Sequence, residues 1–455
     1  MTDLPSCLAR GERARLFPVL ADNSKEGRTL SVFLACLQNV KEFGHSLLAD
    51  VGQRPGARTR IETFTEVVLT KKDGDASLRP DGLILVTRGA KTWSALVEAK
   101  VGNNELTTAQ VEGYLNLAKL NGIDALITIS NQFAPLPSSH PVELSAAARR
   151  KAELYHWSWM YVLTMGSLLL SGEDVEDDDQ RVLLRELGRF LAHPSAGVKS
   201  FDQMPQEWTQ LVSSVQTGAT VSANSSEAKQ SVGAWHQEVR DLSLILSRQL
   251  GREVTIRLPR AQVTDPVARQ KADLTRLCAE RRLDASFTVP DAASPIDVCA
   301  DLSKRSLTIS MRLRAPEDRK TTKAKVNWLV RQLSSSKPDG IYIRLFWPGR
   351  AAATQHPLAV LRDDPDAAAR ETGGSSCTSF EVLLVRDLGA RFGQRRNFIV
   401  DLEAAVPEFY LQVGEHLRAW QASAPRLRED KSHPSDVGAD AIREQFEAEA
   451  LSDDG

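Results

Sequence analysis

The chain has 455 residues, a formal net charge of −2 and an ordinary balance of apolar and charged side chains. That length exceeds a typical single hydrophobic core and implies two or three domains. Near-neutrality excludes a whole-molecule field for nucleic acid, so any such contact must come from local basic patches. The five cysteines, Cys7, Cys36, Cys278, Cys299 and Cys377, form no CxxC pair. They point away from a zinc site or disulfide framework and toward a reducing cytoplasm. No apolar signal core opens the chain, and the longest apolar stretch, 157–170, falls short of the roughly 20 residues a membrane span needs. A soluble, cytoplasmic protein is expected.

Residues 2–20 mix charge with short apolar pieces and read as a leading helix or arm. An amphipathic helix follows from Asn23, with Leu30, Phe33, Leu37 and Val40 at helical spacing and Leu47-Leu48 closing it before the Gly/Pro-rich loop at 52–56. Residues 61–69, rich in β-branched side chains, predict a strand. A polar turn at 71–77 leads into RPDGLILVTRGAKTWSALVEAK, residues 79–100, which reads as two strands joined at Arg88-Gly89-Ala90-Lys91. Side chains alternate along a strand, so Glu98 and Lys100 share one face and Ala99 takes the other. Pairing of the two runs as a hairpin brings Asp81 close to Glu98, a layout suited to a divalent cation beside a phosphodiester.

Gly102-Asn103-Asn104 then breaks the strand, Thr107 or Thr108 caps a helix to about Leu120, and Asn121-Gly122 stops it. Residues 125–130, ALITIS, predict a buried strand. Because the helix is a crossover, this strand should run parallel to one of the earlier three, in a mixed sheet. Residues 144–154, 157–170 and 180–191 predict further helices, with an acidic loop at 173–179 and Trp208 in a last apolar patch. The aromatic run YHWSWMY at 155–161 reads as core rather than as a base-stacking surface.

Residues 216–231, QTGATVSANSSEAKQS, are small and polar and read as a linker. Beyond it, a helix at 235–250, β-like segments at 254–258, 286–289, 307–313, 340–346 and 380–385, and helices at 326–333 and 409–420 predict a separate α+β domain. The expected organisation is 1–213, a linker at 214–233, a second domain at 234–425, and an acidic, mobile tail at 426–455.

Asp81 within RPDG, and Glu98-Ala99-Lys100 at the end of the following strand, resemble the PD-(D/E)xK nuclease superfamily. The helix, three strands, helix, strand order over residues 22–130 resembles it too. Other partial matches lack that setting. Glu227-Ala228-Lys229 falls in the linker, Glu429-Asp430-Lys431 in the tail, and Pro338-Asp339-Gly340 has no (D/E)xK at hairpin distance.

The resemblance implies an α/β, restriction-endonuclease-like core and a nuclease dependent on Mg2+ (or Mn2+). It implies Asp81, Glu98 and the backbone carbonyl of Ala99 on the metal, with Lys100 on the attacking water. Hard cations of this kind are held by one or two carboxylates with water and substrate oxygens. Gln110 and Tyr114 have the QxxxY spacing that looks like the RecB-like branch, implying that Gln110 faces the site and Tyr114 the nucleic-acid backbone. Glu26 continues the apolar stripe toward the helix start, where the family often has a glutamate. Asn23-x-x-Glu26 is also a capping-box spacing, so both readings stand.

In the second half, Arg312, Arg314, Lys320 and Lys323 belong to a basic stretch that suits phosphate contacts or an ordinary solvated surface. The histidines form no HxH or HExxH cluster and no GxxxxGK[ST] loop exists, so neither a zinc site nor an ATPase motor is expected. The expected activity is hydrolysis of phosphodiester bonds, in DNA, within repair, recombination or defence against foreign DNA. A homodimer, or a protein partner taken by the C-terminal domain, is compatible with it. Two alternatives stand beside it: a nucleic-acid-binding or regulatory module with a non-catalytic core, and a protein–protein adaptor acting through the C-terminal domain.

Overall fold

Along residues 83–86 and 95–97, alternate side chains enter two different cores. Ile84, Val86, Ala95 and Val97 pack into one, while Leu83, Leu85 and Leu96 pack into the other. Strands buried on both faces behave this way, and they need a helical layer on each side. The computed structural model, which describes residues 4–17, 25–71, 78–134, 137–138, 140–370 and 375–422, has those layers.

The strands β1 (Leu8–Arg13), β2 (Arg60–Leu69), β3 (Gly82–Arg88), β4 (Lys91–Ala99), β5 (Ala125–Ser130) and β6 (Glu153–Ser158) lie side by side in that order. The first four pair antiparallel, whereas β5 runs parallel to β4 and to β6. The sheet is mixed, as the crossover helix predicts. Helices α1 (Lys25–Asn39) and α2 (Lys41–Asp50) cover one face, and α3 (Thr108–Asn121), the crossover, covers the other. Helices α4 (Trp159–Ser171) and α5 (Asp178–Ala192) complete the first face. Thr107 caps α3 by accepting from the Gln110 N–H, and Gly122 closes it at φ 67°.

Four expectations need correction here. The leading arm contains an edge strand, β1, whose register slips twice against β2. Arg13 ties it down, pairing with Glu62 and lying over the Phe64 ring. The single helix from Asn23 to Leu48 is two, broken at Val40, which takes extended angles (φ −103°, ψ 102°). Residues 144–154 are not a helix. A 3-10 turn at Ala148–Arg150 leads into β6, because aromatic and half-buried side chains suit the open edge of β5 better than an isolated helix. The fourth concerns the linker: α6 (Gln206–Gln216) ends within it and α7 (Ser226–Leu250) begins within it, so that only 217–225 lies outside a helix. Asn23, residues 72–77 and the tail from 426 lie outside the described residues.

The second sheet is antiparallel throughout. Its strands are β7 (Thr255–Ile256), β8 (Arg282–Thr288), β9 (Ile296–Asp301), β10 (Ser306–Arg314), β11 (Ile341–Phe346), β12 (Thr354–Pro357) and β13 (Ser379–Asp387). They are ordered β12-β11-β13-β10-β9-β8-β7. Helices α8 (Arg260–Val263), α9 (Pro266–Glu280), α10 (Thr322–Gln332), α11 (Leu358–Asp363) and α12 (Arg395–Phe409) connect and cover it. The sequence pattern shows neither β9 nor β12, nor the helices α8, α9, α11 and α12. It also puts a helix at 409–420, where the chain ends α12 and makes a π turn at Tyr410–Gly414.

One core fills this half, and it takes in Met204, Trp208, Leu211 and Val212 as well as Ala228, Val232 and Trp235. Helix α6 therefore belongs to the second sheet's core, not to the first domain that was expected to end at residue 213. Residues 1–419 form one compact unit and 420–455 another. Among the described residues no helix is long and apolar enough to cross a membrane.

Candidate functional site

Gly82 opens β3 where a side chain has no room: a Cβ there would stand 2.9 Å from Leu34 and 3.0 Å from the Phe64 carbonyl. That close approach delivers Asp81 to the end of the β3–β4 hairpin. The β3–β4 register ends with Gly82 opposite Val97, so β4 runs on with no partner on that side. Asp81 fills the gap, its Oδ2 accepting from the Ala99 N–H at 2.9 Å. In a strand the N–H and C=O of one residue leave the chain on the same side, so the Ala99 carbonyl faces this edge too. The Ala99 side chain points the other way, into the core under α1.

Glu98 lies on the α3 face of β4 and is 1 % exposed. Its Oε1 accepts from Lys100 Nζ at 2.7 Å and from Gln110 Nε2 at 2.8 Å, while its Oε2 is buried with no hydrogen-bond partner. Glu26, in the first turn of α1, reaches the same ammonium at 3.7 Å and accepts from Asn104 Nδ2 at 2.6 Å. The glutamate thus faces the site. Four of the expected residues, Asp81, Glu98, Lys100 and Gln110, converge with Glu26 as the fifth.

Tyr114 is the exception. It is 3 % exposed and its hydroxyl donates to the Arg79 carbonyl at 3.1 Å. It braces the segment that carries Asp81 and offers no surface to a nucleic-acid backbone.

The electrostatics are lopsided. Three carboxylates face one ammonium in a partly dry pocket. Burial, and then the charge of Glu98, hold Asp81 well above the usual carboxylate range. Burial also raises Glu98, against the pull of Lys100. Burial alone would lower Lys100, but Glu98, Asp81 and Glu26 outweigh it and raise its pKa. Burial and the neighbouring Glu98 raise Tyr114 likewise. Among the described residues no group of three or more His, Cys, Asp or Glu side chains is arranged to hold a metal by itself. A cation here would rest on two carboxylates completed by backbone, water or substrate oxygens, which is the donor set hard cations accept.

Several contributors were not foreseen. Asn104, by sequence only a strand breaker, holds Glu26. Trp159 is core, as its sequence setting implies, and its indole N–H also donates to the Lys100 carbonyl at 2.9 Å. Asn131 donates to the carbonyls of Gly102 and Gly197, and so fixes the loop that carries Asn104. Only the density of Gly and Asn at 102–104 hinted at any of this.

The four basic residues of the second half sit elsewhere, on β10 and beside or on α10. Arg312 lies over the Phe346 ring at 4.0 Å, Arg314 pairs with Glu317 at 3.1 Å, and Lys323 pairs with Asp366 at 2.6 Å. Lys320 is exposed. All four are at the surface, but two already have acidic partners. No protein-family model matches the chain, and no curated protein matches it either.

Proposed function

We propose that this chain is a divalent-metal-dependent nuclease of the PD-(D/E)xK kind, with residues 25–130 as its restriction-endonuclease-like core and DNA as its substrate. The observation that carries the reading is Glu98. A glutamate almost without solvent contact, with one oxygen unpartnered, beside a second carboxylate and a lysine, is a costly arrangement for a purely structural role. The donor chemistry fits a hard cation held by Asp81 and Glu98, with the Ala99 carbonyl at the same edge. When bound, such a cation supplies a water of lowered pKa and polarises the phosphoryl group.

The chain's own residues then have separable tasks. Lys100, kept protonated by its carboxylate neighbours, offers a positive charge to the phosphate as negative charge develops. Gln110 orients Glu98, the Ala99 N–H orients Asp81, and Trp159 fixes the backbone of Lys100. Glu26 and Asn104 close the cluster at its outer side. The second half, with its exposed Arg312 and Lys320, would present substrate or a partner protein.

The test is cleavage of linear, circular and single-stranded DNA, and of RNA, with Mg2+ or Mn2+ and then with chelator. Wild type should cut only with metal, and Asp81→Ala and Lys100→Ala should reduce cutting by at least a hundredfold. Cleavage that survives both substitutions would sink the assignment. Nucleic-acid binding without any cleavage would favour the non-catalytic module.

A further inference from the structure

Beside the carboxylate cluster the surface opens into two adjoining hollows, each of about 490 Å³. The nearer is lined by Glu26, Asn104 and Lys199, and the farther one shares Gly102, Asn103, Asn104 and Lys199 with it. From there the farther hollow runs on to α7. Beyond the 102–105 loop, its walls are the loop after β5 with Gln132, residues 199–205, Arg395 at the start of α12, and one face of α7.

On α7, Gln230, Gly233, Ala234 and Gln237 line the hollow. Spacings of three, four and seven residues put them on one helix face. The small residues in the middle leave the room, and the glutamines flank it.

The hydrogen-bonding state of the walls is informative. Among the described residues the exposed side chains of Gln203 and Gln230 and the half-buried one of Gln237 have no hydrogen-bond partner, so their amides face solvent, and the buried Oε1 of Gln132 has none either. Each amide offers donors and an acceptor together. Charge is nearly balanced, with Lys199 and Arg395 against Glu105 and Asp202. The occupant must therefore be selected by hydrogen-bond pattern and not by net charge. Phe201 and Pro205, both half-buried, add apolar surface on which a ring can lie.

We propose that this amide-walled hollow receives an unpaired nucleotide of the polynucleotide strand whose backbone lies at the Asp81–Glu98–Lys100 cluster. The identification of the occupant as a nucleotide rests on the nuclease reading above. The volume is in the range that encloses a small ligand, which admits one splayed-out base and not a duplex. Free amides match base edges, Asn and Gln being bidentate partners of adenine. Aromatic and apolar surface suits the face of a base. The enzyme would then require a single-stranded stretch or a frayed end beside the scissile phosphate.

Gly233 permits a clean test. A Cβ there would meet nothing within 4 Å, so Gly233→Leu fills the hollow without disturbing the core and favours the helix. Binding of fluorescently labelled single-stranded DNA, single-stranded RNA and blunt duplex DNA is measured by anisotropy in chelator, and cleavage is measured separately with Mg2+. Wild type should bind single strands at least tenfold more tightly than blunt duplex. Gly233→Leu should lose that preference, and Gln237→Ala should lose several-fold of it, both with the melting temperature of wild type. The DNA and RNA arms tell which sugar the hollow accepts.

Single-strand binding by Gly233→Leu equal to wild type overturns the proposal, as does a wild type that binds blunt duplex equally well. Cleavage that is absent in wild type, with single-strand preference lost in Gly233→Leu, sinks the nuclease reading and leaves the hollow supported. Cleavage that is present and indifferent to Gly233→Leu on tailed and single-stranded substrates does the reverse.

Discussion

Glu98 is where the competing demands of the site meet. Its Oε1 is shared by Lys100 and Gln110, while Oε2 is left bare in a place water does not reach. A hydrogen bond to a charged group contributes about 1.5–3 kcal/mol. Gln110→Ala should therefore slow cleavage roughly ten- to a hundredfold, less than loss of Asp81, and kinetics at saturating Mg2+ will measure it. Metal binding has a readout independent of activity. A ligand at a hundredfold excess over its Kd stabilises the native state by about 2.7 kcal/mol. Mg2+ should thus raise the melting temperature of the wild type by several degrees and leave that of Asp81→Asn almost unmoved. Equal shifts in the two proteins would remove Asp81 from the metal.

At the scale of elements, the contact of α7 with α12 buries three carboxyl groups. Glu238 and Asp241 on α7 and Glu403 on α12 face one another, with Arg248 and Asp202 nearby. Both oxygens of Glu238 and one each of Asp241 and Glu403 are buried without hydrogen-bond partners. Burial pushes Asp241 up to about 6, against its bond from the Phe201 N–H and the charge of Arg248. Burial and the charge of Asp241 push Glu403 up to about 7, and burial holds Glu238 well above its usual range.

A carboxyl whose native pKa lies above its unfolded one binds its proton more tightly when folded, so the native state gains as pH falls. This contribution is full below about pH 4 and is lost as pH rises through about 6 and 7. For Asp241, a rise from 3.8 to about 6 at about 1.4 kcal/mol per unit corresponds to a loss on the order of 3 kcal/mol. Urea midpoints should accordingly fall between pH 5 and pH 8, and Glu238→Gln with Glu403→Gln should flatten the slope. A midpoint that rises over that range would mean the acids are paired in solution.

For the whole molecule, α7 packs against both halves. Helix α7 is buried among the second sheet's residues along one side. Along another it meets α4, where Arg248 donates to Thr164 Oγ1 at 2.6 Å and Arg240 lies 5.4 Å from the Tyr161 ring. Trp208, fully buried on α6, belongs to the second core and donates its indole N–H to the Phe392 carbonyl at 2.9 Å. A fragment ending at residue 213 would strip α7 from α4 and expose Trp208. It should melt well below the full chain and bind hydrophobic dye. Trp208→Ala in the full chain should cost about 3–5 kcal/mol. Calorimetry of the full chain should give one transition, and two well-separated transitions would argue for independent domains.

The hairpin from Asp81 to Lys100, its crossover helix and the parallel strand after it were legible in the sequence, because period-2 burial, a Thr cap and a terminal glycine are all local signals. The meeting of Asp81, Glu98 and Lys100 was legible for the same reason: strand alternation puts Glu98 and Lys100 on one face, and a tight hairpin returns Asp81 to them. What local signals could not carry was partnership over long separation. Residues 8–13 become a strand only because β2 offers an edge, and 153–158 only because β5 does. The small, polar stretch after residue 216 looks solvated until the second core buries Ala228, Ser231 and Val232 on one side of it. Asn104 and Trp159 join the site through contacts 78 and 59 residues away in the chain. Composition and periodicity determined the hairpin, its crossover helix and the charged residues they carry, while only tertiary packing decided which edges were free, which helices were shared and where the open hollow beside the carboxylates lies.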